Sequence, residues 1–209
     1  MKKIIIVRHG TTDSNASGVM RGHTDDALSQ VGRTQAIATA EYLSQPNALE
    51  GTAAQIECVY TSTLARAIET GHFIANKLKV PEHRNENLCE LNIGDMEGCS
   101  ESELWDYLSK QVDPEKGMTA LLNFSFPGGE MLSSFLSRVS KSLFEISKVH
   151  QESVLLVSHG VVTMVALGMW LDPKPSNWKR FLVSNCSISE VSFEPRPTLL
   201  RLNETSHLA

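Results

Sequence analysis

Three apolar segments of the chain break off into groups that could handle a phosphate. "KKIIIVRHG" leads from Lys2 into Arg8, His9 and Gly10. "IECVYTSTLAR" leads from Ile56 into Ser62 and, one helical turn later, Arg66. "SVLLVSHG" leads from Ser153 into Ser158, His159 and Gly160. A neutral imidazole is a nucleophile or proton carrier near physiological pH. A guanidinium fork matches phosphate oxygens in pairs. In an open α/β sheet, ligands bind outside the C-terminal ends of the strands, and helix N-termini placed there favour an anion. Two arginines and two histidines directed at one crevice repel unless an anion lies between them. The pattern therefore points to a phosphate-binding crevice.

The elements that must position these groups are legible by period. "KIIIV" is a continuous β-branched run, as in a strand covered on both faces. "LSQVGRTQAIATAEYLSQ" reads as a helix with Ser29 as N-cap and an apolar stripe through Val31, Ala36, Ile37, Ala40, Tyr42 and Leu43. "PNALEGTAA" reads as a loop or surface insertion. Ile56 to Ser62 is a second buried strand, and "TLARAIETGHFIANKL" a helix behind it. Residues 80–91 predict a short strand and a loop. "SESELWDYLSK" predicts a short helix, with Ser100 and Glu103 as a capping box. The rest of the stretch 96–126, with Asp113-Pro114, Gly117 and "FPGGE", predicts a mobile, lid-like excursion.

"EMLSSFLSRVSKSLFEISKV" is a long amphipathic helix, "VVTMVALGMWL" a buried one with Met164, Met169 and Trp170 in the core, and the tail gives two closing strands with Pro195 and Pro197 in their turn. The alternation predicts a three-layer α/β/α sandwich with a mostly parallel sheet and an antiparallel edge strand. One domain spanning 1–209 is expected.

Composition narrows the function classes. The formal charge is −5 over 209 residues and no basic tract occurs, which argues against a nucleic-acid partner. Cys58, Cys89, Cys99 and Cys186 form no C-x-x-C pair, so no zinc site is expected, and reduced thiols in a cytoplasmic protein are. No secretory leader is visible. The longest apolar run falls short of the ~20 residues that span a bilayer, so no membrane partner is expected.

Five segments, "VRHGTTDSN", "TSTLARAIET", "CELNIGDMEG", "PGGE" and "VSHGVV", occur in the order and approximate spacing of the histidine phosphatase superfamily. The chain resembles that phosphoglycerate-mutase-like group, which includes broad-specificity phosphatases and α-ribazole phosphatase, from Ile4 to about Val191. The resemblance implies a metal-independent phosphomonoester hydrolase without a cofactor, acting on a small-molecule phosphomonoester; the oligomeric state stays open, a homodimer included. His9 resembles the nucleophile that forms a phosphohistidine. Arg8 and Arg66 resemble the phosphate-clamping arginines, His159 the second histidine and Glu90 the proton donor. Asn15 matches an asparagine that reaches the phosphate. Gly160, at the third strand end, and Arg21, Gly22 and His23, where family members line the pocket mouth, complete the expected phosphate-side set. Two departures, Thr11 in place of an acid and Met96 in place of a tryptophan, lie outside the core pocket.

Plainer roles stand beside these. Arg66 could pair with Glu69 or Glu41, and Glu86 and Glu97 lie near enough to compete with Glu90. His72, His83, His150 and His207 read as surface residues, and Ser62 and Ser158 as strand-to-helix turns. Trp105, Tyr107 and Phe124 offer apolar surface to a substrate ring or pack the excursion, and packing is the expectation. Substrate alternatives are α-ribazole 5′-phosphate specifically, or phosphoglycerate in a mutase reaction. A non-catalytic phospho-ligand binder is the least consistent with a complete residue set.

Overall fold

Alternate residues of the first strand serve two different cores. In β1 (Lys3–Arg8), Ile4 and Ile6 face one side of the sheet, and Ile5 and Val7 the other. All four are essentially unexposed. Successive side chains of a strand point to opposite faces, so a continuous apolar run demands a layer on each side. The computed structural model describes residues 2–111, 122–172 and 175–209. Six strands form one sheet: β1, β2 (Ile56–Thr61), β3 (Glu82–Arg84), β4 (Ser153–Ser158), β5 (Ile188–Ser192) and β6 (Thr198–Glu204), in the order β3-β2-β4-β1-β5-β6. The pairs β3–β2, β2–β4 and β4–β1 are parallel, and the antiparallel pairing is confined to β1–β5 and β5–β6.

Helices α2 (Gln30–Leu43) and α3 (Ala65–Leu78) cover the face of Ile5, Val7, Leu155 and Val157. Helices α5 (Leu132–Val149) and α6 (Gly160–Leu171) cover the face of Ile4, Ile6, Val154 and Leu156. This is the expected three-layer sandwich. A four-residue helix α1 (Asp13–Ala16) follows β1, and α4 (Glu101–Gln111) stands in the connection between β3 and α5. The parallel strands end in register, with Arg8 opposite Ser158 and Thr61 opposite Val157. That register brings the three polar strand ends to one edge.

Several readings of the sequence are corrected. Val31 and Ile37 lie on solvent, because α2 buries its small face, Gly32, Ala36, Thr39, Ala40 and Leu43. The reason is close approach: a Cβ on Gly10 would lie 2.5 Å from the Gly32 carbonyl oxygen, so helix and loop meet backbone to backbone. Met169 is exposed, although Trp170 and Leu171 beside it in α6 pack against the core. "PNALEGTAA" is not a plain loop, because it contains a 3₁₀ helix (Ala48–Gln55) with Ala48 and Leu49 in the core. His150 is tucked against Glu57 and Tyr60, and His207 bonds Thr39 and the Cys186 carbonyl, so neither is a free surface residue.

The Ser100–Glu103 capping box forms in both directions, at 3.2 Å and 2.7 Å. Leu104 and Phe126 of the expected excursion pack with Ile93 into a small core. Asp113-Pro114 and Gly117 lie outside the described residues. All four cysteines are free thiols. No helix among the described residues is long and apolar enough to cross a membrane.

Phe135 of α5 has no exposed surface. Phe135→Ala should cost about 3–5 kcal/mol in chemical denaturation, because the deleted ring leaves a cavity that a β-sheet floor cannot collapse into.

Candidate active site

His9 follows β1 and His159 follows β4, and the shared register brings their rings to 5.1 Å between centroids. Both are buried. The Nδ1 of His9 lies 2.8 Å from the Gly10 carbonyl oxygen. A carbonyl can only accept, so Nδ1 carries the proton and Nε2 keeps its lone pair. The backbone thus fixes both the tautomer and the ring. On His159, Nε2 bonds Ser62 Oγ at 2.7 Å, while Nδ1 is buried without a protein partner.

The two guanidiniums are held mainly by carbonyl oxygens. Arg8 Nη1 donates to the Val183 carbonyl at 2.6 Å, and its Nε has no partner. Arg66, in the first turn of α3, donates from Nη2 to the Gly22 carbonyl at 2.8 Å and from Nη1 to the Thr24 carbonyl at 3.1 Å. The alternative surface pairing of Arg66 is excluded, because Glu69 is bound by Arg33 and Arg66 is only 2% exposed. Carbonyls orient these cations but do not neutralise them.

Glu90 closes the remaining side. Its Oε2 accepts from the Val161 N–H at the start of α6 at 3.1 Å, and its Oε1 from the Leu91 N–H at 2.9 Å. A Cβ built on Gly160 would lie 3.8 Å from the Arg8 guanidinium carbon and 3.9 Å from Glu90 Oε2. The carboxylate therefore borders the cationic crevice. Glu90 also lines an apolar cavity of about 180 Å³.

A family model described as the histidine phosphatase superfamily (branch 1) matches residues 4–205. The chain belongs to the histidine phosphatase superfamily. Phosphoglycerate mutase-like protein 4 of Arabidopsis thaliana is 32% identical over 193 residues, covering 90% of this chain and 77% of its own. Phosphoserine phosphatase 1 of Hydrogenobacter thermophilus is 29% identical over 210 residues, covering 100% and 95%. Among solved structures, phosphoserine phosphatase from Entamoeba histolytica in complex with 3-phosphoglyceric acid matches with a TM-score of 0.80 at 25% identity over 100% of both chains. This member of the superfamily is a phosphatase acting on a phosphorylated small molecule.

The remaining expected residues of this phosphatase divide by what they touch. Gly160 lies against Arg8 and Glu90. The Arg21-Gly22-His23 turn reaches the crevice by one backbone and one side-chain bond: Gly22 lends its carbonyl to Arg66, and His23 Nε2 donates to the Glu90 carbonyl at 2.7 Å. Arg21 Nε donates to Ser14 Oγ, and its side chain lines the apolar cavity. Asn15 is engaged locally, because its Oδ1 accepts from the Thr12 N–H and from Asn185 Nδ2, both at 3.2 Å.

Four supporting residues escaped the sequence reading. Asn185 bonds the His9 carbonyl at 2.9 Å from a tail loop with no periodic signal. Thr70 accepts the Gly10 N–H. Glu97 Oε1 accepts the N–H groups of Gly22, His23 and Thr24. Burial opposes its ionisation, but those bonds together hold its carboxyl below the usual carboxylate range. Glu97 is thus committed to the turn that orients Arg66, and is not a rival acid. Arg138, on α5, donates to the Asn87, Cys89 and Glu90 carbonyls and grips Glu130 with two bonds. It fixes the loop that carries Glu90, and it gives "PGGE" a structural purpose.

Burial holds both imidazoles well below the ordinary value of 6.5. Arg8 and Arg66 add to this at His9, and His9, Arg66 and Arg8 at His159. The unfolded chain takes up protons below about pH 6.5 that the folded chain refuses, so stability is full above that pH and falls as pH drops. The denaturation midpoint should decline between about pH 7 and pH 5, and His159→Gln should flatten the decline. Arg138→Met should cost about 2 kcal/mol in denaturation, because it strands Glu130 and three carbonyls. It should also lower kcat more than it raises KM.

Proposed function

We propose that the chain is a phosphomonoester hydrolase working through a phosphohistidine on His9, with protein cations supplying the positive charge. The observation that carries this reading is the His9 ring. Its Nδ1 proton is committed to the Gly10 carbonyl and its Nε2 lone pair is free, beside Arg8 and Arg66. Phosphoryl transfer asks chiefly for positioning and charge stabilisation.

In the first step His9 Nε2 attacks phosphorus. The bond from phosphorus to the leaving oxygen breaks, and Glu90 in its acid form gives that oxygen a proton. In the second step Glu90, now a carboxylate, takes a proton from water as the water oxygen attacks phosphorus. The P–N bond then breaks and inorganic phosphate leaves. Arg8, Arg66 and the free Nδ1 of His159 face the transferring oxygens, the last as an N–H donor.

A mutase reading draws on the name of the Arabidopsis relative, and differs only in what attacks the phosphohistidine. Phosphoserine, named for two of the relatives, joins α-ribazole 5′-phosphate and phosphoglycerate as metabolites to test.

Wild-type protein mixed with p-nitrophenyl phosphate and quenched should yield an acid-labile, alkali-stable phosphoenzyme, and release inorganic phosphate without added bisphosphoglycerate or metal. His9→Ala should show neither; near-normal turnover in that variant would overturn the reading. Glu90→Gln should slow hydrolysis of alkyl phosphates by about 10²–10⁴-fold, the worth of general acid–base help. In rapid-quench mixing it should slow phosphoenzyme formation from p-nitrophenyl phosphate far less, because that leaving group departs without a proton.

A further inference from the structure

The cavity behind Glu90 has walls unlike those of the crevice. Leu104, Trp105, Leu108, Phe124, Phe126 and Met164 are among the residues that line it. Its volume is about 180 Å³. For scale, a dry protein cavity of about 150 Å³ lined by aliphatic and aromatic side chains takes up benzene.

The polar side chains on its wall are largely spoken for. Glu130 is held by Arg138, and Glu101 accepts the Trp105 indole N–H at 3.1 Å. Arg21 gives its Nε to Ser14. The Lys179 ammonium sits 3.8 Å from the Trp105 ring centroid, which together with Glu101 holds that indole in place. Phe124 and Phe126 meet edge to face with centroids 5.0 Å apart, backed by Tyr107. The wall is therefore packed and preformed.

Glu90 lines this cavity and also borders the phosphate crevice. An ester oxygen protonated by Glu90 lies beside that carboxyl, and its substituent has the cavity that Glu90 also lines within reach. We infer that the cavity is the leaving-group site, and that it selects phosphomonoesters whose alcohol carries an uncharged apolar body of about one aromatic ring. This rests on the hydrolase reading above. A carboxylate-bearing alcohol, as in phosphoserine or phosphoglycerate, would lose its water against apolar side chains. Arg21 would face it as a cation, while Glu101 opposed it.

The test compares kcat/KM for 2-phenylethyl phosphate with ethyl phosphate, O-phosphoserine and 3-phosphoglycerate, with p-nitrophenyl phosphate as the activity reference. The phenylethyl ester should exceed each of the other three alkyl esters by at least about tenfold, the order expected for seating a ring-sized apolar surface. Leu108→Lys, at a half-buried position that lets the ammonium reach water, should cut the ratio of phenylethyl phosphate to phosphoserine at least about tenfold. Trp105→Ala, at a partly exposed position, should lower the preference for phenylethyl over ethyl phosphate if the lysine variant does not fold. Turnover of p-nitrophenyl phosphate with phosphoserine or 3-phosphoglycerate as the better alkyl substrate would overturn this inference and leave the hydrolase standing. Equal rates for phenylethyl and ethyl phosphate would do the same. No turnover and no phosphoenzyme with any ester would bring down both.

Discussion

The structure depends on holding two guanidiniums and two imidazoles together, largely out of water, with backbone carbonyls as the guanidiniums' hydrogen-bond partners. Arg66, His9 and His159 are each under 5% exposed. Burying unpaired charge is costly, and the molecule limits the cost in two ways. Both imidazoles are kept neutral, and both guanidiniums are solvated by backbone carbonyls in place of water. Glu90 borders the crevice, and it raises the affinity of both arginines for their protons against the effect of burial. A phosphate dianion between the two guanidiniums would add negative charge where the proposed function needs it.

Much of the rest of the chain serves that arrangement at one remove. Glu97 ties down the turn whose carbonyls hold Arg66, Arg138 ties down the loop that presents Glu90, and Asn185 and Ser62 tie down the two histidine segments. Small residues at Gly10 and Gly32 let the loop after β1 lie directly on α2. These contacts cross between elements far apart in sequence, so a displacement in one loop reaches the crevice through a single hydrogen bond.

The sheet and its layers were legible because the strands are continuous apolar runs and the helices keep their period. The crevice was legible because three strands end alike, and parallel strands in register must deliver those ends together. Supporting residues were not. Asn185 and Glu97 lie in irregular segments, where their hydrogen bonds depend on tertiary approach and not on spacing. The stripe assigned to α2 failed at Val31 and Ile37 because the helix packs by backbone proximity, and so buries glycine and alanine in preference to larger residues. Trp105 and Phe124 could be named from the sequence, but only the fold shows that they wall a cavity shared with Glu90.

The most direct test of the account is nitrogen NMR of selectively labelled histidines in the free protein at neutral pH, followed through a titration with orthovanadate. The account predicts neutral rings for His9 and His159 in the free protein. It also predicts a proton on Nδ1 of His9, and a change on vanadate addition centred at its Nε2. An imidazolium at position 9 in the free protein, or a His9 ring indifferent to vanadate, would contradict it.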